Sequence, residues 1–314
     1  MTDKTLQTLF SEALKVHGYG HAFYEPELAS VVKPGACGFL RNGSWIPIVD
    51  LNKAQDLSAH GLTACPPLQQ APKSEREWGP KISSKLRQRK LNFEAGVSLL
   101  PTGIPFDISA LYEYETINEH GALMLTKSPV TKNALYRDEP IKNWVQQNAL
   151  RIKEQWPEVA VEGLFIATST FSTSEASTNL MRTKGQKVTV GFSGQAVGIG
   201  EIGPAAAWHT AVTDGGWVRS KATESSPQRV VFVGGVYFRW PRLMLPLSKA
   251  VKVIPQHKWN LHLRGDSFET LLIAPPSDEF PQGQSLQVES YGRNENRLEE
   301  EDEEGNGEES DDDF

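Results

Sequence analysis

The sequence predicts an α+β fold: a twisted antiparallel sheet carrying two main helices, followed by a short C-terminal extension. Three observations predict it. Only residues 3–17 and 139–156 place apolar side chains at a helical period. Most of the chain between about 91 and 238 alternates apolar and polar residues as a half-buried strand does. Past 240 the apolar runs are short and broken by Pro246, Pro255, Pro275 and Pro276.

In the first helix, Leu6, Leu9, Phe10, Ala13 and Leu14 form one stripe, with Thr2 or Asp3 as cap and Gly18 as stop. Residues 19–80 are rich in Gly and Pro, with β-like runs at 36–40 and 45–50, and 62–80 reads as a loop. In the second helix Asp138 stands at the cap and Pro140 in the first turn, where a missing N–H costs little. Its buried face is Ile141, Trp144, Val145, Ala149, Ile152 and Trp156, and Pro157 ends it. From about 277 onward the composition is that of a disordered tail.

Several classes are excluded or disfavoured. No run of 18 apolar residues encodes a membrane-spanning helix. The N-terminus lacks the apolar core of a secretory signal. Cys37 and Cys65 make neither a disulfide framework nor a metal spacing, so a reduced cytosolic compartment is expected, with no metal and no cofactor.

The net charge of −7 is a sum over two unlike parts. Residues 299–314 hold 11 acids and no base; the remainder, with 28 acids against 32 bases, is at +4. A mildly basic body with a polyanionic tail suggests attraction to anionic surfaces, moderated by the tail.

Residues 91–114 carry most of the functional argument. In LNFEAGVSLL, Leu91, Phe93, Ala95, Val97 and Leu99 alternate with polar or small residues. A turn, PTGIP, follows at 101–105, and then Phe106, Ile108, Ala110, Tyr112 and Tyr114 form the apolar face of the return arm. Each arm has the 9–11 residues a tilted strand needs to cross a bilayer core, and apolar–polar alternation marks a barrel wall. A hairpin in a soluble sandwich alternates in the same way. Residues 81–90 precede it with Lys81, Lys85, Arg87, Arg89 and Lys90 and no acid; such a cluster binds anionic headgroups at about 1 kcal/mol per cation. A second hairpin is expected at 164–202, with 164–182 as outgoing arm and 186–196 as return arm, where Val188, Val190 and Phe192 alternate with polar residues.

The order of these parts resembles the pore-forming domain of gasdermins, most closely the fungal gasdermin-like proteins of regulated cell death and heterokaryon incompatibility. The resemblance rests on GLFIATSTFST at 163–173, KVTVGFSGQAVGIGEIG at 187–203 and VVFVGGVYFRW at 230–240, together with the N-terminal helix, and covers about residues 1–240. It implies a gasdermin N-terminal-like domain over 1–240, a short inhibitory segment over 241–276 and an acidic tail over 277–314. It further implies that a protease of subtilisin-like or caspase-like type cuts between about 238 and 275. The cytoplasmic precursor then yields a domain that moves to the cell membrane, binds acidic phospholipids, self-assembles into a β-barrel pore and kills the cell. On this carry-over 81–90 is the lipid patch, Lys4 and Lys15 place the first helix at the lipid surface, and 91–114 and 164–202 are the inserting hairpins.

Other readings remain. A soluble β-rich binding or scaffold module needs no membrane. GIGEIG at 198–203 fits G-x-G-x-x-G, but the alternating strand before it and the short segment PAAAWHTAVTDGG after it, a helix of two turns at most, make a dinucleotide-dependent enzyme remote. VGFSGQ at 190–195 misses the nucleophile elbow at Gln195, and His17 and His21 are separated by Gly18 and Gly20. No catalytic constellation and no nucleic-acid motif emerges.

Overall fold

Strand-forming segments outnumber helical ones because period-two patterns dominate, and a computed structural model arranges them in three antiparallel sheets with few helices. It describes residues 4–91, 108, 110–193, 207–210, 216–224, 227–240, 269–274 and 284–292. In chain order the elements are α1 (Leu6–Leu14), β1 (His21–Leu28), β2 (Ala36–Arg41), β3 (Ser44–Asp50), α2 (Ala54–Ala59), β4 (Ser74–Arg76), β5 (Lys81–Ile82), β6 (Leu86–Leu91), β7 (Ala110–Thr116), β8 (Gly121–Thr126) and β9 (Val130–Ala134). There follow α3 (Glu139–Gln155), α4 (Val159–Glu162), β10 (Leu164–Thr173), β11 (Glu175–Met181), β12 (Lys187–Ser193), β13 (Ala207–Thr210), β14 (Trp217–Lys221), β15 (Arg229–Arg239), β16 (Glu269–Ala274) and β17 (Gln284–Tyr291).

The central sheet runs β16-β17-β15-β10-β2-β3, with β1 also on β15, β9 on β10 and β4 on β9. Its axis is the β10–β15 pair. Val230, Val231, Phe232 and Val233 are all fully buried, the uniform apolar run expected of a strand covered on both faces. Gly235 lets the two strands close up, since a Cβ there would meet the Ile166 carbonyl oxygen at 2.3 Å. β2 and β3 form a hairpin because Asn42 and Gly43 both adopt positive φ, the geometry of a two-residue turn that matches strand twist.

α3 lies on one face of this sheet. Ile141, Trp144, Val145, Ala149 and Ile152 are buried as the pattern predicts, against Leu164, Ile166, Val236 and Phe238, whereas Trp156 is only half-buried because the helix ends at Gln155 and Trp156 is its C-cap. Asp138 occupies the cap position but makes no side-chain capping bond; its carbonyl accepts from Ile141 and Lys142 instead. α1 starts later than expected: Thr5, not Thr2 or Asp3, caps it, accepting from the Thr8 N–H at 3.4 Å. Gly18, at φ +69, ends that segment as foreseen.

The second sheet, β14-β11-β8-β5, is covered on both sides. Ala122, Met124, Ala176 and Leu180 pack on Phe10 and Leu14 of α1. Leu123, Leu125 and Met181 face the third sheet, β13-β12-β7-β6.

The expectation of disorder from 277 fails for β17. Its Leu286 and Val288 are buried with α3, while Tyr291 packs on Phe165 and Tyr237 on the other face. Alternation in SLQVESY, not acidic composition, decides this segment. β17 pairs with β15 from Gly235 to Arg239, and β16 pairs with β17 and packs on α3 through the Lys142–Glu269 ion pair and a bond from Gln146 Nε2 to the Leu272 carbonyl.

Candidate functional site

One arm of each predicted hairpin meets the other in the third sheet: β7, the return arm of the first, lies beside β12, the return arm of the second, and the partner of β7 among the described residues on its other edge is β6, which holds most of the predicted basic patch. β6 pairs with β7 from Leu86 opposite Thr116 to Leu91 opposite Leu111, and β7 pairs on its other edge with β12, from Glu115 opposite Lys187 to Ala110 opposite Phe192. The partner of β12 is corrected. Residues 164–182 are not its outgoing arm: β10 lies in the central sheet and β11 in the second. β12 instead pairs with β13, Val190 opposite Thr210 and Ser193 opposite Ala207. The segment expected as a short helix after GIGEIG therefore contains a strand, since Ala207–Thr210 gain a partner in β12 that local propensity does not register. Both connections, 92–109 and 194–206, leave the sheet from one end, where Leu91, Ala110, Ser193 and Ala207 lie.

The inner face is apolar. Tyr112, Tyr114, Val188, Val190 and Phe192 are each at most 4% exposed and pack on the second sheet. Tyr112 and Phe192 meet edge-on at 5.8 Å. Tyr114 buries its hydroxyl with no hydrogen-bond partner among the described residues, and burial drives its pKa upward. Leu91 and Ile108 do not join this face. They pack on Leu111 instead: Leu91 because it has the parity of Arg87 and Arg89, and Ile108 because it lies before β7 begins at Ala110 and is not held to the strand's alternation. Phe93, Val97, Leu99 and Phe106 lie outside the described residues.

The outer face is a charge ladder. Arg87 stands opposite Glu115 and Arg89 opposite Glu113, while Lys187 on the far side of β7 reaches Glu113 at 2.9 Å and Glu115 at 3.8 Å. That acidic row holds the Lys187 pKa above its ordinary value. The pattern was readable in YEYET at 112–116, but its opposition to RQRK became visible only with the register. Lys85, Arg87, Arg89 and Lys90 are exposed along β6, whose only strand partner among the described residues is β7.

The remaining predicted cations are elsewhere. Lys81, in β5, covers the stacked rings of Trp78 and Tyr19 at 4.9 and 5.3 Å. Lys4 pairs with Glu12 at 2.8 Å. Lys15 is partly buried, and desolvation lowers its pKa. His17 contacts the Ile82 carbonyl, and His21 is buried between Ser11 and the Gly43 carbonyl. Among the described residues no cluster of His, Cys, Asp or Glu could hold a metal, and no helix is long and apolar enough to cross a membrane. GIGEIG lies outside the described residues. Compared with protein-family models and with curated proteins, the chain matches none.

Proposed function

We propose that the chain is the precursor of a membrane pore-former similar in mechanism to gasdermins. What supports the reading most is that two hairpins lie edge to edge in one sheet, with both connections leaving from the same end. Four consecutive strands, β6-β7-β12-β13, form a ready segment of barrel wall. Only assembly of many copies removes the free edges that lipid forbids. Cleavage between β15 and β16 frees the β16–β17 hairpin to leave, baring the β15 edge and the face of α3. The exposed cations of β6 then dock on anionic lipid.

Insertion requires a change of register. With Leu91 opposite Leu111, unbroken continuation would put Phe93, Val97 and Leu99 on the face opposite Tyr112 and Tyr114. Sliding β6 by three residues pairs Phe93 with Tyr112, Val97 with Ile108 and Leu99 with Phe106, and leaves Thr102–Gly103 as a two-residue turn. One continuous apolar face results.

The experiment uses dye-loaded liposomes with and without acidic lipid, the chain cut between 241 and 268, and cysteine pairs in a background lacking Cys37 and Cys65. The Leu91→Cys/Leu111→Cys pair should cross-link in the intact chain, and the Phe93→Cys/Tyr112→Cys pair in membrane-bound oligomers. Replacing Lys85, Arg87, Arg89 and Lys90 with Gln should weaken acidic-lipid binding by about 4 kcal/mol, on the order of a thousandfold. No leakage at any cut, with 91–111 cross-linking throughout, would instead favour a soluble β-rich scaffold, a reading consistent with the burial of Tyr112, Tyr114, Val188, Val190 and Phe192.

A further inference from the structure

A cleft of about 260 Å³ opens where β9, β10 and the end of β17 converge. Its walls include Lys132 on β9, half-buried with its Nζ 5.6 Å from the centre of the Phe171 ring, then Tyr136 and Arg137, both exposed, and Tyr291–Gly292 at the far end. Thr168 and Ser169 line it at the bulge of β10. The room depends on Gly234, where a Cβ would meet Ser169 Oγ at 2.4 Å and the Tyr291 carbonyl at 3.0 Å. The acid in the lining, Asp138, has Lys142 Nζ at 3.9 Å. The cleft is therefore polar and carries two cationic side chains.

The described chain ends in this cleft. Gly292, at φ +75, turns the backbone out of β17 and sits against Tyr19 and Gly234. Residues 293–298 then separate it from the acidic run beginning at Glu299. From Gly292 to Glu299 the chain takes seven steps and reaches at most about 25 Å. The first carboxylates are thus tethered within a short radius of Lys132 and Arg137, at an effective concentration on the order of millimolar. Proximity matters because exposed charges at physiological salt act over only about 8 Å. The β6 cations lie on the third sheet, which packs on the second sheet and not on the central one.

We infer that the acidic segment 299–313 folds back and occupies this cleft, held by Lys132 and Arg137, so that the precursor carries its own polyanionic ligand. This inference does not rest on the pore reading. It concerns the intact chain alone.

Zero-length carbodiimide cross-linking of the full chain, followed by peptide mapping, tests it. Lys132 should be the leading partner of acids in 299–313 at low salt, and the links should vanish at about 0.5 M salt. A Lys132→Gln/Arg137→Gln chain should lose its tail to a Glu-specific protease at least about fivefold faster than the parent. A second variant, with all 11 acids of 299–313 changed to their amides, leaves the folded body untouched and should abolish the Lys132 links. Cross-links spread over lysines in proportion to exposure, or centred on Lys85 and Lys90, would overturn the inference, as would an unchanged rate of clipping.

Discussion

The central sheet and the hairpin sheet are both antiparallel, yet they are built for different lives. In the central sheet β15 has β10 along one edge, β1 and β17 along the other, and a fully buried stretch from Val230 to Val233. In the hairpin sheet β7 and β12 bury one face, the other face carries Glu113, Glu115 and Lys187, and β6 presents an edge bearing Arg87, Gln88, Arg89 and Lys90 to solvent. Charged edges are how soluble proteins prevent strand addition. The contrast teaches that period-two alternation marks strands in general, whereas edge exposure marks which of them can be lent to another partner.

The sharpest way to break this contrast is in the scaffold. Trp144 is 1% exposed, packs between α3 and the central sheet, and donates from Nε1 to the Thr63 carbonyl at 2.8 Å. Trp144→Ala should cost about 3–5 kcal/mol in urea denaturation, close to the whole stability of a domain.

Acid should loosen the scaffold next. His21 is fully buried as the neutral ring, with Nε2 donating to the Gly43 carbonyl and Nδ1 accepting from Ser11, and burial lowers its pKa from 6.5 to about 4. Above pH 6.5 neither state is protonated and stability is flat. Between 6.5 and about 4 the unfolded chain takes up the proton and the folded one does not, so stability falls as pH drops, by about 3 kcal/mol in all. A His21→Gln chain should flatten that part of the urea midpoint profile.

The smallest effect has the opposite sign. Tyr114→Phe removes a buried hydroxyl that has no partner among the described residues, so it should stabilise the chain by about 1 kcal/mol. A loss of stability would mean that the hydroxyl is satisfied after all, and that the inner face is less dry than its burial implies.

The two main helices and several strand runs were legible in the sequence because their signals are local, whereas the short α2 and α4 carry too few residues to show a period. The buried face of α3, the β2 and β3 runs and the apolar faces of β7 and β12 all read correctly. The partner of β12 did not, because β7 lies some 75 residues upstream in the numbering and no short-range pattern encodes non-local pairing. Composition misled at β17, where two alternating apolar residues, Leu286 and Val288, outweigh the acidic stretch that follows. The Ser- and Thr-rich stretch of β10 and β11, expected as one hairpin arm, is two largely buried strands in different sheets. Its hydroxyls reach carbonyls inside the fold: Thr173 donates to Lys127, and Thr178 to Tyr24.

One edge of β15 is shared by the chain's beginning and its end. β1 takes residues 229–233 and β17 takes 235–239. On a ribosome these halves are supplied at different times. β1 is made long before β15, but the first residue of β17, Gln284, follows Arg239 by 45 positions. At 5–20 residues per second that is a wait of about 2–9 s. Throughout it, each nascent chain offers a neighbour on the same messenger an unpaired half-edge of its most apolar strand.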